Sequence, residues 1–169
     1  MKKQFFENEK DGFYGTYYEN PKGADCAVIG LFGDDPNDYM AKCGAKWLHK
    51  KGVNVLCTSP GRKNYSHVNY PLERIETAIK WLQNHGNRKI GIMGISITGM
   101  DALVAASYFP DITLTVSFTG SDFVWQGFEQ GKKMAVKNGR FQMLRLFPGR
   151  ESRLPICHSY MNIRNTGRK

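Results

Sequence analysis

Four short apolar runs punctuate the first two thirds of the chain, each bounded by glycine, proline or charged residues. Residues 26–32 (CAVIGLF) run unbroken between Gly23 and the turn Gly33-Asp34-Asp35-Pro36, as expected of a strand buried on both faces. Residues 53–57 read as the next buried strand, and 89–93 and 112–118 as further strands. Between them the apolar period lengthens to that of a helix. Asn37 can cap a helix through Lys51, with Met40, Cys43, Ala45, Trp47 and Leu48 on its apolar side and Gly52 as its stop. After a turn-rich loop at 59–69, Pro71 opens a second helix that carries Ile75, Ile79 and Leu82 at helical spacing and stops at Gly86. A third helix, rich in small residues, spans 97–109 and meets Pro110. The aromatic stretch 12–18 (GFYGTYY) reads as an edge strand. This βαβαβαβ alternation implies an α/β fold: a doubly wound, mostly parallel sheet with helices on both faces and its crevice at the strands' carboxyl ends.

A chain of 169 residues with 41% hydrophobic content is one domain's worth and can bury a real core. The opening MKKQFFENEKDGFYG is too polar for a secretory leader, and no apolar run approaches the ~20 residues of a membrane span. The expectation is a cytoplasmic protein with no membrane partner. Cys26, Cys43, Cys57 and Cys157 are scattered without CxxC or zinc-type spacing, which predicts buried free thiols, no metal and no cofactor. The net charge of +9 lies wholly beyond residue 130, where ten Lys/Arg face Glu151 alone. That tail mixes Phe, Leu, Met and Cys without clear periodicity, so nucleic-acid binding is not expected.

The chemistry concentrates in residues 89–108, KIGIMGISITGMDALVAASY. An apolar strand runs into Gly94-Ile95-Ser96-Ile97-Thr98-Gly99 and a helix follows at once, the layout of a nucleophile elbow. Such a turn pushes the Ser96 hydroxyl clear of the sheet and sets a helix N-terminus behind it. A serine nucleophile needs a base and preorganised N–H donors for the anionic intermediate. The backbone N–H of Ile97 is one candidate donor. The loop 33–35, with Asp34 at its centre, is the candidate source of the second. An ordinary strand-to-helix turn remains the alternative reading.

Three stretches extend the pattern: Gly94-Ile95-Ser96 with Gly99, the helix end 105–110 (AASYFP), and 117–127 (SFTGSDFVWQG). Together with Leu31-Phe32-Gly33 they resemble the C-terminal catalytic domain shared by acyl-CoA thioester hydrolases and bile-acid-CoA:amino-acid N-acyltransferases. The likeness spans roughly residues 10–155. It implies an α/β-hydrolase fold and a Ser–Asp–His triad acting on thioesters, esters or amides, with Ser96 as nucleophile. Serine rather than cysteine there looks like the thioesterase branch. Thr98 departs from the pattern, since the elbow usually carries a very small residue two places after the nucleophile. Its β-branched side chain crowds the turn, and Gly99 next to it relieves the crowding.

The triad's acid and histidine are the larger departure, because the resemblance implies both well after the elbow. Asp122 reads as structural, His158 lies in the anomalous tail, His49 and His85 occupy helix ends, and His67 could line the crevice. The expectation is that acid and base are missing. Residues 1–155 then form the N-terminal part of the hydrolase domain and 156–169 a basic tail. Back-translating from Pro155 in the frame of each codon's third base permits Tyr, Met, Pro and Phe in turn and forces Glu at Met161/Asn162, as a frame shift there would. Three readings stay open: a serine hydrolase of acyl thioesters or esters, an inactive fragment that self-associates through an exposed sheet edge, and a binding module without chemistry.

Overall fold

The structure is a computed structural model that describes residues 2–32, 39–59, 70–122, 124 and 144–145. In chain order the elements are β1 (Lys2–Phe6), α1 (Asn8–Asp11), β2 (Gly15–Glu19), β3 (Cys26–Leu31), α2 (Tyr39–His49), β4 (Asn54–Thr58), β5 (Tyr70–Pro71), α3 (Glu73–Asn84), β6 (Lys89–Ile95), α4 (Ile97–Tyr108), β7 (Ile112–Phe118) and β8 (Leu144–Arg145). Six strands form one sheet in the order β1-β2-β4-β3-β6-β7, and β5 pairs with β8 apart from it. The four strands read from apolar runs are parallel neighbours, β4 against β3, β3 against β6 and β6 against β7.

Side-chain parity along these strands divides the interior in two. Ala27, Ile29 and Leu31 of β3, Leu56 of β4, and Ile90 and Ile92 of β6 pack with Ile75, Ile79 and Leu82 of α3 and with Met100, Ala102 and Ala105 of α4. Val55 and Cys57 of β4 and Met93 of β6 turn the other way, onto Ala45 and Leu48 of α2. In β3, β4 and β6 residues of both parities thus meet helices, and so these runs are largely apolar rather than alternating, whereas β7 is half-buried to exposed.

Three expectations are corrected. The stretch 12–18 holds no edge strand: β2 lies between β1 and β4, antiparallel to both. The strand at that end of the sheet is β1, in the opening segment from which no strand was read. An edge strand buries little, and β1 buries only Phe6 while Lys2 and Lys3 face solvent, a charge placement that protects an edge. Pro71 does not open a helix. It ends β5, and Leu72 precedes α3. On α2, Met40, Cys43 and Trp47 are exposed, and the buried stripe runs through Ala45 and Leu48 with Ala41 against the same cluster. Small residues let this helix sit close to the sheet. Of the cysteines, Cys57 is buried, Cys26 half-buried and Cys43 exposed, all three free. Asn37 and Cys157 lie outside the described residues. Gly52 and Gly86 close their helices in the left-handed region, at φ 86° and 82°.

At the amino ends of the parallel strands the sheet is tied by asparagines. The Asn20 N–H donates to Asn54 Oδ1 at 2.8 Å, and Asn54 Nδ2 donates to Asn87 Oδ1 at 2.7 Å and to the Ala24 carbonyl at 3.0 Å. Among the described residues no helix is long and apolar enough to cross a membrane.

Candidate active site

From β3 the chain moves to β4 on one side, then crosses back to β6 on the other. The carboxyl ends of β3 and β6 therefore flank the point where winding reverses, where open α/β sheets form their ligand crevice. Ser96 follows the last residue of β6 at that point and is exposed.

Its backbone stands at φ 57°, ψ −122°, outside the regions an L-residue favours. Such a conformation costs of order 1–3 kcal/mol and persists only where the surroundings impose it. They do so here from three sides. The Ser96 N–H donates to the Phe118 carbonyl of β7 at 2.8 Å. The Ser96 carbonyl accepts from the N–H groups of Gly99 at 3.0 Å and Met100 at 3.2 Å as α4 begins. Beneath it, Gly94 leaves room for the incoming turn: a Cβ there would overlap the Thr98 carbonyl and lie 2.7 Å from the Gly99 nitrogen.

Thr98 does not crowd the turn as its shape alone suggests. It is buried, and its Oγ1 accepts the Ile95 N–H at 3.0 Å while lying against the carbonyls of Leu31 and Ile95. Gly99 relieves a different contact, the close approach of α4 to the end of β7. A Cβ on Gly99 would sit 3.1 Å from Gly120 Cα, and one on Gly120 would sit 2.7 Å from the Gly99 carbonyl carbon.

The first N–H groups of a helix find no partner within it, and in α4 these are at Ile97 and Thr98. With the helix dipole they make the ground beside Ser96 favourable to negative charge, and the first turn of α4 has no acidic residue to compete for it. The arrangement can present a hydroxyl to a carbonyl carbon and hold the oxygen that becomes anionic.

Asp34 and the loop 33–35, His67 and His158 lie outside the described residues. Asp122 is exposed beyond β7. His49 ends α2 with Nε2 3.1 Å from the Glu19 carbonyl oxygen. His85 follows α3 with Nδ1 2.8 Å from the Trp81 carbonyl oxygen and its ring stacked on Trp81 at 3.7 Å. Both stand where the chain enters β4 and β6, the opposite end of the sheet from Ser96. Among the described residues no group of three or more His, Cys, Asp or Glu could hold a metal ion.

Sequence reasoning passed over a buried polar group behind the elbow. Asp101 of α4 is only 3% exposed, and its charge bears on Tyr70, which is also buried and has the Arg74 guanidinium 5.8 Å from its ring centroid. Burial pushes the Tyr70 phenol well above its usual range, and the Asp101 charge adds to this. A lone aspartate in a helix of small apolar residues was the available signal.

Known structures share the architecture. An alpha/beta hydrolase, GrgF, from Penicillium sp. sh18 superposes with a TM-score of 0.54 at 21% identity, over 68% of this chain and 44% of that one. Est1E from Butyrivibrio proteoclasticus gives 0.54 at 14% identity, over 71% and 51%. The present chain spans about half the length of either, and at these identities the likeness shows the α/β-hydrolase fold alone. No curated protein sequence matches it. The model of one family, "BAAT / Acyl-CoA thioester hydrolase C terminal", matches residues 70–163. That span covers more than half of the chain and takes in β6, Ser96 and α4, so the chain belongs to the BAAT/acyl-CoA thioester hydrolase C-terminal family.

Proposed function

We propose that this chain carries the nucleophile half of a serine hydrolase site for acyl thioesters or esters. Ser96 Oγ attacks the acyl carbonyl, a C–O bond forms, and the thiol or alcohol leaves as the C–S or C–O bond breaks. Water then releases the acid from the acyl-serine. The developing oxyanion is held by the Ile97 N–H and by a second N–H from the loop at Asp34. The supporting observation is the strained, exposed Ser96 between β6 and α4, in a chain of a thioester-hydrolase family. Gly94, Thr98 and Gly99 shape the turn, and small-molecule acyl thioesters or esters are the substrate class. Both described histidines stand at the far end of the sheet, so neither serves Ser96 as proton acceptor in this reading.

That placement of the histidines also favours a second reading, in which the elbow survives in a domain without turnover. Thiol release from acyl-CoA thioesters, measured beside Ser96→Ala, separates the two. Turnover that the substitution lowers at least roughly 100-fold supports the hydrolase. Turnover equal to that of the variant overturns it in favour of the second reading.

A further inference from the structure

We infer that Thr98 is a positioning residue whose hydroxyl ties the Ser96 elbow to the last residue of β3, and so fixes where the Ser96 hydroxyl and the Ile97 N–H stand relative to the sheet. This rests on the hydrolase reading above.

The last rung that joins β3 to β6 is Leu31 opposite Gly94. Beyond it the pairing ends and a gap follows, with β6 running into the elbow and β3 into Phe32. The Thr98 hydroxyl adds one more rung across that gap. It accepts the Ile95 N–H at 3.0 Å, and its single proton can go to the Leu31 carbonyl or to the Ile95 carbonyl at 2.9 Å, with Leu31 the nearer. One side chain thereby satisfies a backbone donor on β6 and holds a backbone acceptor on β3.

The following residue is held from the other face of the sheet. The Phe32 ring fills the space above Gly30 and beneath Gly44 of α2: a Cβ on either glycine would come within 2.9 Å or 2.6 Å of the ring's Cζ. Leu31 is clamped by its carbonyl and Phe32 by its side chain, so the end of β3 gives Thr98 a fixed point against which the elbow is set. A donor N–H stabilises an oxyanion only when it points to where that oxygen will stand relative to the attacking hydroxyl. A displacement of about 1 Å in such a site costs on the order of 100-fold in rate.

Threonine at this place suits that purpose better than the small residue its elbow position would otherwise favour. Gly94 makes room for its backbone, and its hydroxyl reaches a strand that glycine could not touch. The prediction is a loss in the chemical step with binding left intact.

The test is labelling of the full chain by an alkyl fluorophosphonate. The Ser96 oxygen–phosphorus bond forms, the phosphorus–fluorine bond breaks, and the hydroxyl proton passes to solvent with fluoride. Intact mass gives the maximal labelling rate and the half-saturating probe concentration for wild type, Thr98→Val and Thr98→Ser, with Ser96→Ala as control. The expected result is a maximal rate about 10- to 100-fold lower in Thr98→Val at unchanged half-saturation, and within about 3-fold of wild type in Thr98→Ser, which keeps the hydroxyl. Thermal melts run alongside, with labelling done well below every transition. A Thr98→Val protein that melts lower yet labels at the wild-type rate overturns the proposal and leaves the Ser96 reading standing. A wild-type chain whose labelling Ser96→Ala does not remove overturns both.

Discussion

The backbone N–H of Ser96 donates to the carbonyl of Phe118 at 2.8 Å, which binds the turn after β6 to the last residue of β7. The bond holds Ser96 at φ 57° from outside its own turn, while Gly99 and Met100 bind its carbonyl from within. Strain at this residue is therefore a property of the sheet as well as of the elbow.

Ser96→Gly should stabilise the fold relative to Ser96→Ala. Both remove the hydroxyl, but only glycine adopts φ 57°, ψ −122° without penalty. The expected difference is about 1 kcal/mol, or roughly 2–4 °C in melting temperature for a chain of this size. Equal melting of the two variants would mean the turn relaxes and stores no strain.

Gly94→Ala should unfold or strongly destabilise the elbow. The added methyl overlaps the Thr98 carbonyl and presses on the Gly99 nitrogen, 2.7 Å away. Backbone atoms held by a helix and a sheet cannot yield as a flexible side-chain end does. A loss of about 3 kcal/mol or more is expected in urea unfolding. A loss below about 1 kcal/mol would show that the turn adjusts freely.

The parallel strands were legible because β3, β4 and β6 lie between helices and are largely apolar, as 26–32, 53–57 and 89–93 are, while 112–118 carries enough apolar residues at a strand's length to be read with them. β1 was not, since an edge strand presents Lys2 and Lys3 to water and buries only Phe6. The contact stripe of α2 was misread for the opposite reason. Trp47 and Met40 are apolar but stand outward, whereas Ala41 and Gly44 carry little hydrophobic signal and set how closely the helix approaches. Ser96 was readable from the spacing of Gly94, Ser96 and Gly99 on a strand-to-helix junction. The use of Thr98 was not, because its partner Leu31 is 67 positions away and only pairing of β3 with β6 brings them together.

Asn54→Leu should cost more than its small change in volume suggests. Asn54 is buried and makes three hydrogen bonds, to the Asn20 N–H, the Ala24 carbonyl and the Asn87 side chain. Leucine would leave those partners without water or a replacement, at a cost of about 2–4 kcal/mol. Urea titration measures it directly. A loss below about 1 kcal/mol would mean that water or a local shift satisfies the orphaned groups.

Tyr70 should make the fold sensitive to alkaline pH. Burial raises its folded pKa above the ordinary value near 10, with the Asp101 charge acting in the same direction and Arg74 against it. The unfolded phenol loses its proton first as pH rises, so deprotonation favours the unfolded chain. Tyr70's contribution is therefore fully present below about pH 10 and is lost progressively above it. Phenylalanine has no proton to lose. Stability of Tyr70→Phe should fall less steeply than wild type between about pH 10 and 12, while below pH 9 the two curves run parallel, offset by the lost hydroxyl. Tyr17, whose pKa burial also raises, titrates in both proteins and cancels from the difference. Urea midpoints at half-unit intervals from pH 8 to 12 supply the comparison. Parallel curves over the whole range would place the Tyr70 hydroxyl in contact with water and refute the buried polar group beneath the elbow.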